Sequence, residues 1–323
     1  MGGAAGRVVR TAMGALALAL LLTTGVAGAA APAGPRLAVV KQTWNPGRMA
    51  LITVDANGRR PVRIAGGQEE NSPLDTITLT RLDWRPDGAE IAFTGLISIF
   101  LAKADGSGAR ELNLADAERP VFTPDGRSLV FTRFGQGERE AATWIVDLAT
   151  GAQRQLTPTR RGLVYVGSSF SPDGSTLLMT RIDRERGGRQ ELVALNMATG
   201  GTTRLLRHGF APVYSPDGSE VAFLRDTGRR QLSDLFVLDV ADRSVHRLTR
   251  TPRKDEYYSS WDPSGERIAF ARFRGMHYEW ANSVVQINAD GSCETEVLAR
   301  KRTVFYGVAW QPGPGRGAGR IEC

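Results

Sequence analysis

An aromatic residue stands two positions ahead of a turn proline six times in this chain. The six sites are Trp84-Arg-Pro-Asp-Gly88, Phe122-Thr-Pro-Asp-Gly126, Phe170-Ser-Pro-Asp-Gly174, Tyr214-Ser-Pro-Asp-Gly218, Trp261-Asp-Pro-Ser-Gly265 and Trp310-Gln-Pro-Gly313. Successive prolines lie 38, 48, 44, 47 and 49 residues apart. A turn that recurs at such a period identifies a repeat architecture. Proline presets its own φ, Asp bonds backbone ahead of it, and Gly accepts a positive φ.

Alternation and turn chemistry divide each period into four short strands. In one unit, 164–170 is an apolar strand ending in the aromatic Phe170, 175–181 a second, 191–197 a third and 202–206 a fourth. Second strands recur as Ile91-Ala-Phe93, Leu129-Val-Phe131, Val221-Ala-Phe223 and Ile268-Ala-Phe270. Four antiparallel strands per period make one propeller blade. The first strand is missing at the start, where 37–41 reads as a second strand, 49–54 as a third and 62–64 as a fourth. At the other end 303–310 is a first strand with no second behind it. The expected fold is therefore an all-β, six-bladed β-propeller of four-stranded antiparallel blades over 37–312. Pairing of the N- and C-terminal strands closes it, and one composite blade is built from 37–66 and 303–310. Such pairing removes exposed sheet edges.

The first residues read as a signal peptide, 1–31. Arg7 and Arg10 precede an apolar stretch at 12–22, and small residues follow at 27–31. That stretch is shorter than the roughly 20 residues a membrane span needs. Residues 32–36 form a lead-in and 313–323 a C-terminal tail. The expected location is exported, periplasmic or extracellular, with no membrane span after cleavage. Export permits disulfides, and the only two cysteines, Cys293 and Cys323, fall on one face of the disc in adjacent blades, so a bond between them is expected. The formal charge is +7, yet basic residues are interspersed with acidic ones and no basic stripe forms. No nucleic-acid partner is expected.

The order aromatic-Ser-Pro-Asp-Gly, Ile-Ala-Phe-x-Arg, Val-x-Asp and x-x-Leu-Thr resembles the TolB-type propeller repeat, from about Leu37 to Trp310. The resemblance is to the propeller alone: no room remains ahead of it for the α/β domain of TolB. The same repeat resembles the propellers of prolyl oligopeptidase-type peptidases, but the Gly-x-Ser-x-Gly elbow of their hydrolase domain is absent.

Asp87, Asp125, Asp173 and Asp217 in the repeated turns are read as turn builders, because equivalent positions in different blades lie too far apart to share an ion. Lys41, Arg133, Arg181, Arg225 and Arg272 recur at the end of second strands. They read either as a ring of positive charge that captures a carboxylate or as inter-blade ion pairs. Tyr257 and Tyr258, with His277, Tyr278, Glu279 and Trp280, have the composition of a recognition surface on the face opposite the turns. His277 with Glu279 is the first acid–base pair to test for catalysis. Three scattered histidines make no metal-ligand spacing, so no metal or cofactor is expected. The expected function is a non-catalytic, monomeric binding scaffold. It docks a protein, peptide or glycan of the cell envelope on the loop face or at the channel mouth. The alternatives are a hydrolase or lyase at that mouth and a structural accessory subunit of an envelope complex.

Overall fold

The computed structural model describes residues 34–43, 49–66, 81–95, 98–135, 140–228, 232–274, 282–313 and 317–323. Among these, every regular element is a β-strand. Strands β1 (Arg36–Thr43), β2 (Met49–Asp55) and β3 (Val62–Gly66) begin the chain. The next quartet is β4 (Asp83–Trp84), β5 (Glu90–Thr94), β6 (Ile99–Lys103) and β7 (Ala109–Glu111). It is followed by β8 (Ala117–Phe122), β9 (Ser128–Phe134), β10 (Ala141–Asp147) and β11 (Gln153–Gln155), and by β12 (Leu163–Phe170), β13 (Thr176–Asp183), β14 (Arg189–Asn196) and β15 (Thr202–Arg207). Then come β16 (Phe210–Tyr214), β17 (Glu220–Asp226), β18 (Ser233–Asp239) and β19 (Val245–Arg247). The last quartet is β20 (Lys254–Trp261), β21 (Arg267–Arg274), β22 (Ser283–Asn288) and β23 (Thr295–Ala299), with β24 (Thr303–Trp310) at the end.

These strands form four separate four-stranded sheets and one eight-stranded sheet. The expectation of six separate sheets is corrected here. Ala141 of β10 makes a parallel pairing with Val164 of β12, which fuses the antiparallel quartets β8–β11 and β12–β15. The arrangement is propeller-like, with antiparallel pairing inside each quartet. Strand β24 lies beside β1, with Leu37 opposite Trp310 and Thr43 opposite Thr303, so the first sheet holds strands from both ends of the described residues.

Second strands carry the core. Phe93, Phe131, Phe223 and Phe270 stand at equivalent positions and are fully buried. Each contributes about 2–3 kcal/mol through removal of its ring from water. First strands are joined by polar contacts at their aromatic ends. The Phe122 N–H donates to Asp83 Oδ2 (2.6 Å), the Tyr214 N–H to Ser169 Oγ (3.2 Å) and the Trp310 N–H to Ser260 Oγ (3.0 Å). The indoles add to this, with Trp84 Nε1 donating to Ala309 O (3.0 Å) and Trp261 Nε1 to Val213 O (3.1 Å). Residues adjoining the repeated aromatics thus bind one sheet to the next.

Candidate functional site

The six aromatic-bearing strands, β4, β8, β12, β16, β20 and β24, all contribute to the lining of one cavity of about 580 Å³. Turn prolines Pro86, Pro124, Pro172, Pro216 and Pro312 line one end. At the other end, first strands begin and second strands finish. Asp183, the last residue of β13, is opposite Leu163, the first of β12. Phe134, Ile182, Arg184 and Gln190 belong to that opposite mouth.

First strands aim side chains into this space by breaking their own register. Pairing shifts between Glu118 and Val121 in β8, between Phe210 and Val213 in β16, and between Tyr257 and Ser260 in β20. Each bulge contains a residue with positive φ: Arg119 (58°), Ala211 (50°) and Tyr258 (57°). Such a backbone is unfavourable for an L-residue and persists only where its surroundings enforce it. Here Thr94 Oγ1 accepts the Arg119 N–H (3.1 Å) and Thr180 Oγ1 accepts the Ala211 N–H (2.9 Å), each from the preceding quartet. Pro120 and Pro212 follow directly, which suits a bulge because proline has no N–H to give a ladder. All three positive-φ residues line the cavity.

The charge of the lining is lopsided. Arg81, Arg119 and Arg184 face Asp83 alone as a carboxylate. Burial pushes Asp83 up to about 7, against the opposing pull of the Phe122 N–H and Arg81. Burial also brings Arg81 down to about 10, with Asp83 opposing and Arg119 adding to the fall. Among the described residues, the guanidinium groups of Arg81, Arg119 and Arg184 make no hydrogen bond or ion pair. The arrangement suits an anion held in a confined space, where charge interactions exceed their strength in bulk water.

No family model matches the sequence. It is 31% identical over 166 residues to the Tol-Pal system protein TolB of Anaeromyxobacter dehalogenans strain 2CP-1, covering 49% of this chain and 36% of that protein. Among solved structures, TolB from Acinetobacter baumannii superposes with a TM-score of 0.72 at 21% identity, over 86% of this chain and 67% of that one. A structure described as putative TolB from Agrobacterium tumefaciens gives 0.64 at 16% identity, over 86% and 99%. The chain is similar to TolB proteins in sequence over half its length and to TolB propellers in fold. It spans 36% of the length of the Anaeromyxobacter TolB proteins it resembles.

On this TolB-like propeller the second-strand basic residues do not line the cavity. The Arg133 guanidinium lies over Phe131 and Trp144 and donates to Gln153 Oε1 (2.9 Å). Arg181 pairs with Glu191 (2.6 Å). Arg225 lies over Phe223 and Phe236 and donates to His208 O (2.8 Å). Arg272 is buried, contacts Glu256 at 3.0 Å and also pairs with Glu294. Lys41 sits within β1, opposite Ala50 and Phe305. These four arginines are engaged close to their own strands, with three stacked on second-strand phenylalanines.

Tyr257 and Tyr258 do line the cavity. The Tyr257 hydroxyl donates to Asp255 Oδ2 (2.7 Å), and its ring meets Phe273 edge-on at 5.4 Å. His277, Tyr278, Glu279 and Trp280 lie outside the described residues. The turn aspartates bond locally. Asp125 accepts the Thr123 hydroxyl (2.6 Å) and the Arg127 N–H (3.0 Å), and Asp173 and Asp217 repeat this with Ser171 and Ser215. Those hydroxyls hold the three carboxyls below the usual carboxylate range. Asp87 accepts the Ala89 N–H (2.9 Å).

A disulfide joins Cys293 to Cys323, with Cα atoms 5.1 Å apart. It fixes a tail already stitched to the last quartet. Arg267 donates to the carbonyls of Ala318 and Gly319, Asp262 accepts the Ala318 N–H (2.8 Å), and Asn288 exchanges two bonds with Ile321.

Arg81, Asp83, Arg119 and Arg184 are absent from the sequence-based site. One sign was present: among the residues just before the six repeated aromatics, only Asp83 is charged, against Val121, Ser169, Val213, Ser260 and Ala309.

Proposed function

We propose that this protein is an exported, non-catalytic binding scaffold: a six-bladed ring, closed through β24 and β1, that docks a protein of the cell envelope in the mouth opposite the proline turns. The observation that carries the reading is the shared cavity, to which every first strand contributes. Rigid sheets hold the bulges, and the bulges present Tyr258 and Arg119 inward at a fixed geometry. Aromatic and arginine side chains are the residue types that anchor protein interfaces. The TolB name of its relatives, as proteins of a Tol-Pal system, agrees with a protein partner in the envelope. Export rests on the signal-like segment 1–31. Among the described residues no helix is long and apolar enough to cross a membrane.

Site-specific photo-cross-linking in the native host tests the reading. A benzophenone group at position 258, inside the cavity, should capture an envelope protein. The same group at Val240, exposed and not part of the cavity lining, should not. Equal capture from both positions, or none from 258, overturns it.

A further inference from the structure

Three observations bear on what enters the cavity. Its lining has three arginines and one carboxylate, Asp83. Among the described residues none of the three guanidinium groups bonds another side group or carbonyl of the protein, whereas Arg133, Arg181, Arg225 and Arg272 each bond at least one. And Arg119 occupies a φ of 58° at a bulge, a conformation that costs stability and that directs its side chain into the cavity instead of along the strand ladder.

Arg81 is half-buried, and Arg119 and Arg184 are exposed where they line the cavity. Arg119 and Arg81 repel, and Arg119 adds to the fall of Arg81. Asp83 gives its Oδ2 to the Phe122 N–H at 2.6 Å. The site therefore has an excess of positive charge in a shared concave space. Arginine forks match a carboxylate in a bidentate geometry.

We propose that Arg81, Arg119 and Arg184 form a receptor for a carboxylate carried by the docked protein segment, either that of an acidic residue or the terminal carboxylate of the polypeptide. This inference rests on the cavity being a protein-docking site and adds the chemistry that selects the segment. Arg81 and Arg119 take the carboxylate oxygens, and Arg184 attracts it at the rim. Asp83 sets a limit on affinity by like-charge repulsion, and so discriminates against anions that the arginines do not meet in good geometry.

Calorimetric titration of the full folded protein decides it, with three peptides. These are a terminally blocked tetraglutamate, an acetylated tetraalanine with a free terminal carboxylate, and a terminally blocked tetraglutamine. Either carboxylate peptide should bind and the neutral one should not; which of the two binds identifies the source of the carboxylate. Arg81→Gln and Arg119→Gly should each weaken that binding at least tenfold, the glycine preserving the positive φ. Asp83→Asn keeps an acceptor for Phe122 and should tighten binding, a gain that a damaged fold does not produce. Arg154→Gln, on the exposed outer strand β11, should change nothing. Equal binding of tetraglutamine, no binding of either carboxylate peptide, or affinity indifferent to both arginine variants overturns the inference. Capture from position 258 together with any of those results leaves protein docking standing and rejects the carboxylate receptor alone.

Discussion

Trp84 donates its indole N–H to the carbonyl of Ala309 at 3.0 Å, across 225 positions of sequence. The bond joins the sheet of β4 to the sheet that holds both β1 and β24. Trp310 has an equally buried indole, yet its Nε1 meets no acceptor among the described residues. The two tryptophans should respond differently to loss of the same atom. Trp84→Phe removes a bond and strands a carbonyl, for about 1–3 kcal/mol beyond the loss of ring area. Trp310→Phe removes an unmet donor and should be milder by about 1 kcal/mol or more. Urea midpoints of the two variants check the difference.

Asp83 makes stability depend on pH. Its carboxyl titrates near 7 in the folded protein because burial disfavours the charge, while in the unfolded state it titrates near the ordinary ~4. Between those values the folded state holds a proton that the unfolded state has released. Stability therefore falls as pH rises across that window and levels off above it. Glu256, which burial likewise raises, adds a slope of the same sign. Asp83→Asn should remove part of the decline, leaving the variant more stable than the parent at pH 8 by on the order of 1 kcal/mol. Urea unfolding at half-unit steps from pH 5 to pH 8 shows whether the slope shrinks.

Ala211 has φ 50° in the bulge of β16. Glycine tolerates that backbone without penalty, so Ala211→Gly should be neutral or stabilising by up to ~1 kcal/mol. Ala222, fully buried in the regular strand β17, gives the contrast. There the same exchange should cost about 1 kcal/mol or more. Thermal unfolding of both variants reads the difference in sign.

Arg272 is 3% exposed and holds the fully buried Glu256 at 3.0 Å. Arg272→Gln leaves that carboxylate without its cation and should cost about 3–5 kcal/mol, as broken buried pairs do. A double variant with Glu256→Gln should recover much of the loss. Equal stability of the single and double variants would show the pair to be uncoupled.

Opening the Cys293–Cys323 bond releases a loop of 30 residues. In the polymer-entropy treatment that loss is about 3–4 kcal/mol. Cys323→Ser should lower the melting temperature accordingly. Reductant should add two mass units to the parent protein and none to the variant monomer.

Strand order and turn position could be read in the sequence because their signals are local. Phe93, Phe131, Phe223 and Phe270 recur as the last residue of the same apolar triplet, and the second strands they mark are buried on both faces. The Pro-Asp-Gly turns use the backbone chemistry their residues favour, and Asp125 bonds to Thr123 and Arg127 within two residues. Merging of two quartets through Ala141 and Val164 was not legible, since one parallel pairing leaves no mark on composition. The cavity was harder still. A bulge shifts the inward and outward sense of every later residue in a strand, and nothing in the alternation of β8 separates Arg119 from an outward arginine. Arg133 and Arg225 show the converse. Their recurrence looks like a shared charged surface, but each lies on the ring of the phenylalanine two residues before it. Recurrence of a residue type reports a repeated packing need as readily as a common ligand.

The stitched tail has a practical consequence. Cys323 is anchored beside the proline turns, through Asn288, Arg267 and the bond to Cys293. A polypeptide fused after it would leave from that side of the molecule. Tethering to a surface through such a fusion would leave the arginine-lined mouth pointing into the flowing solution, ready for ligand, while an attachment near Arg184 would cover it.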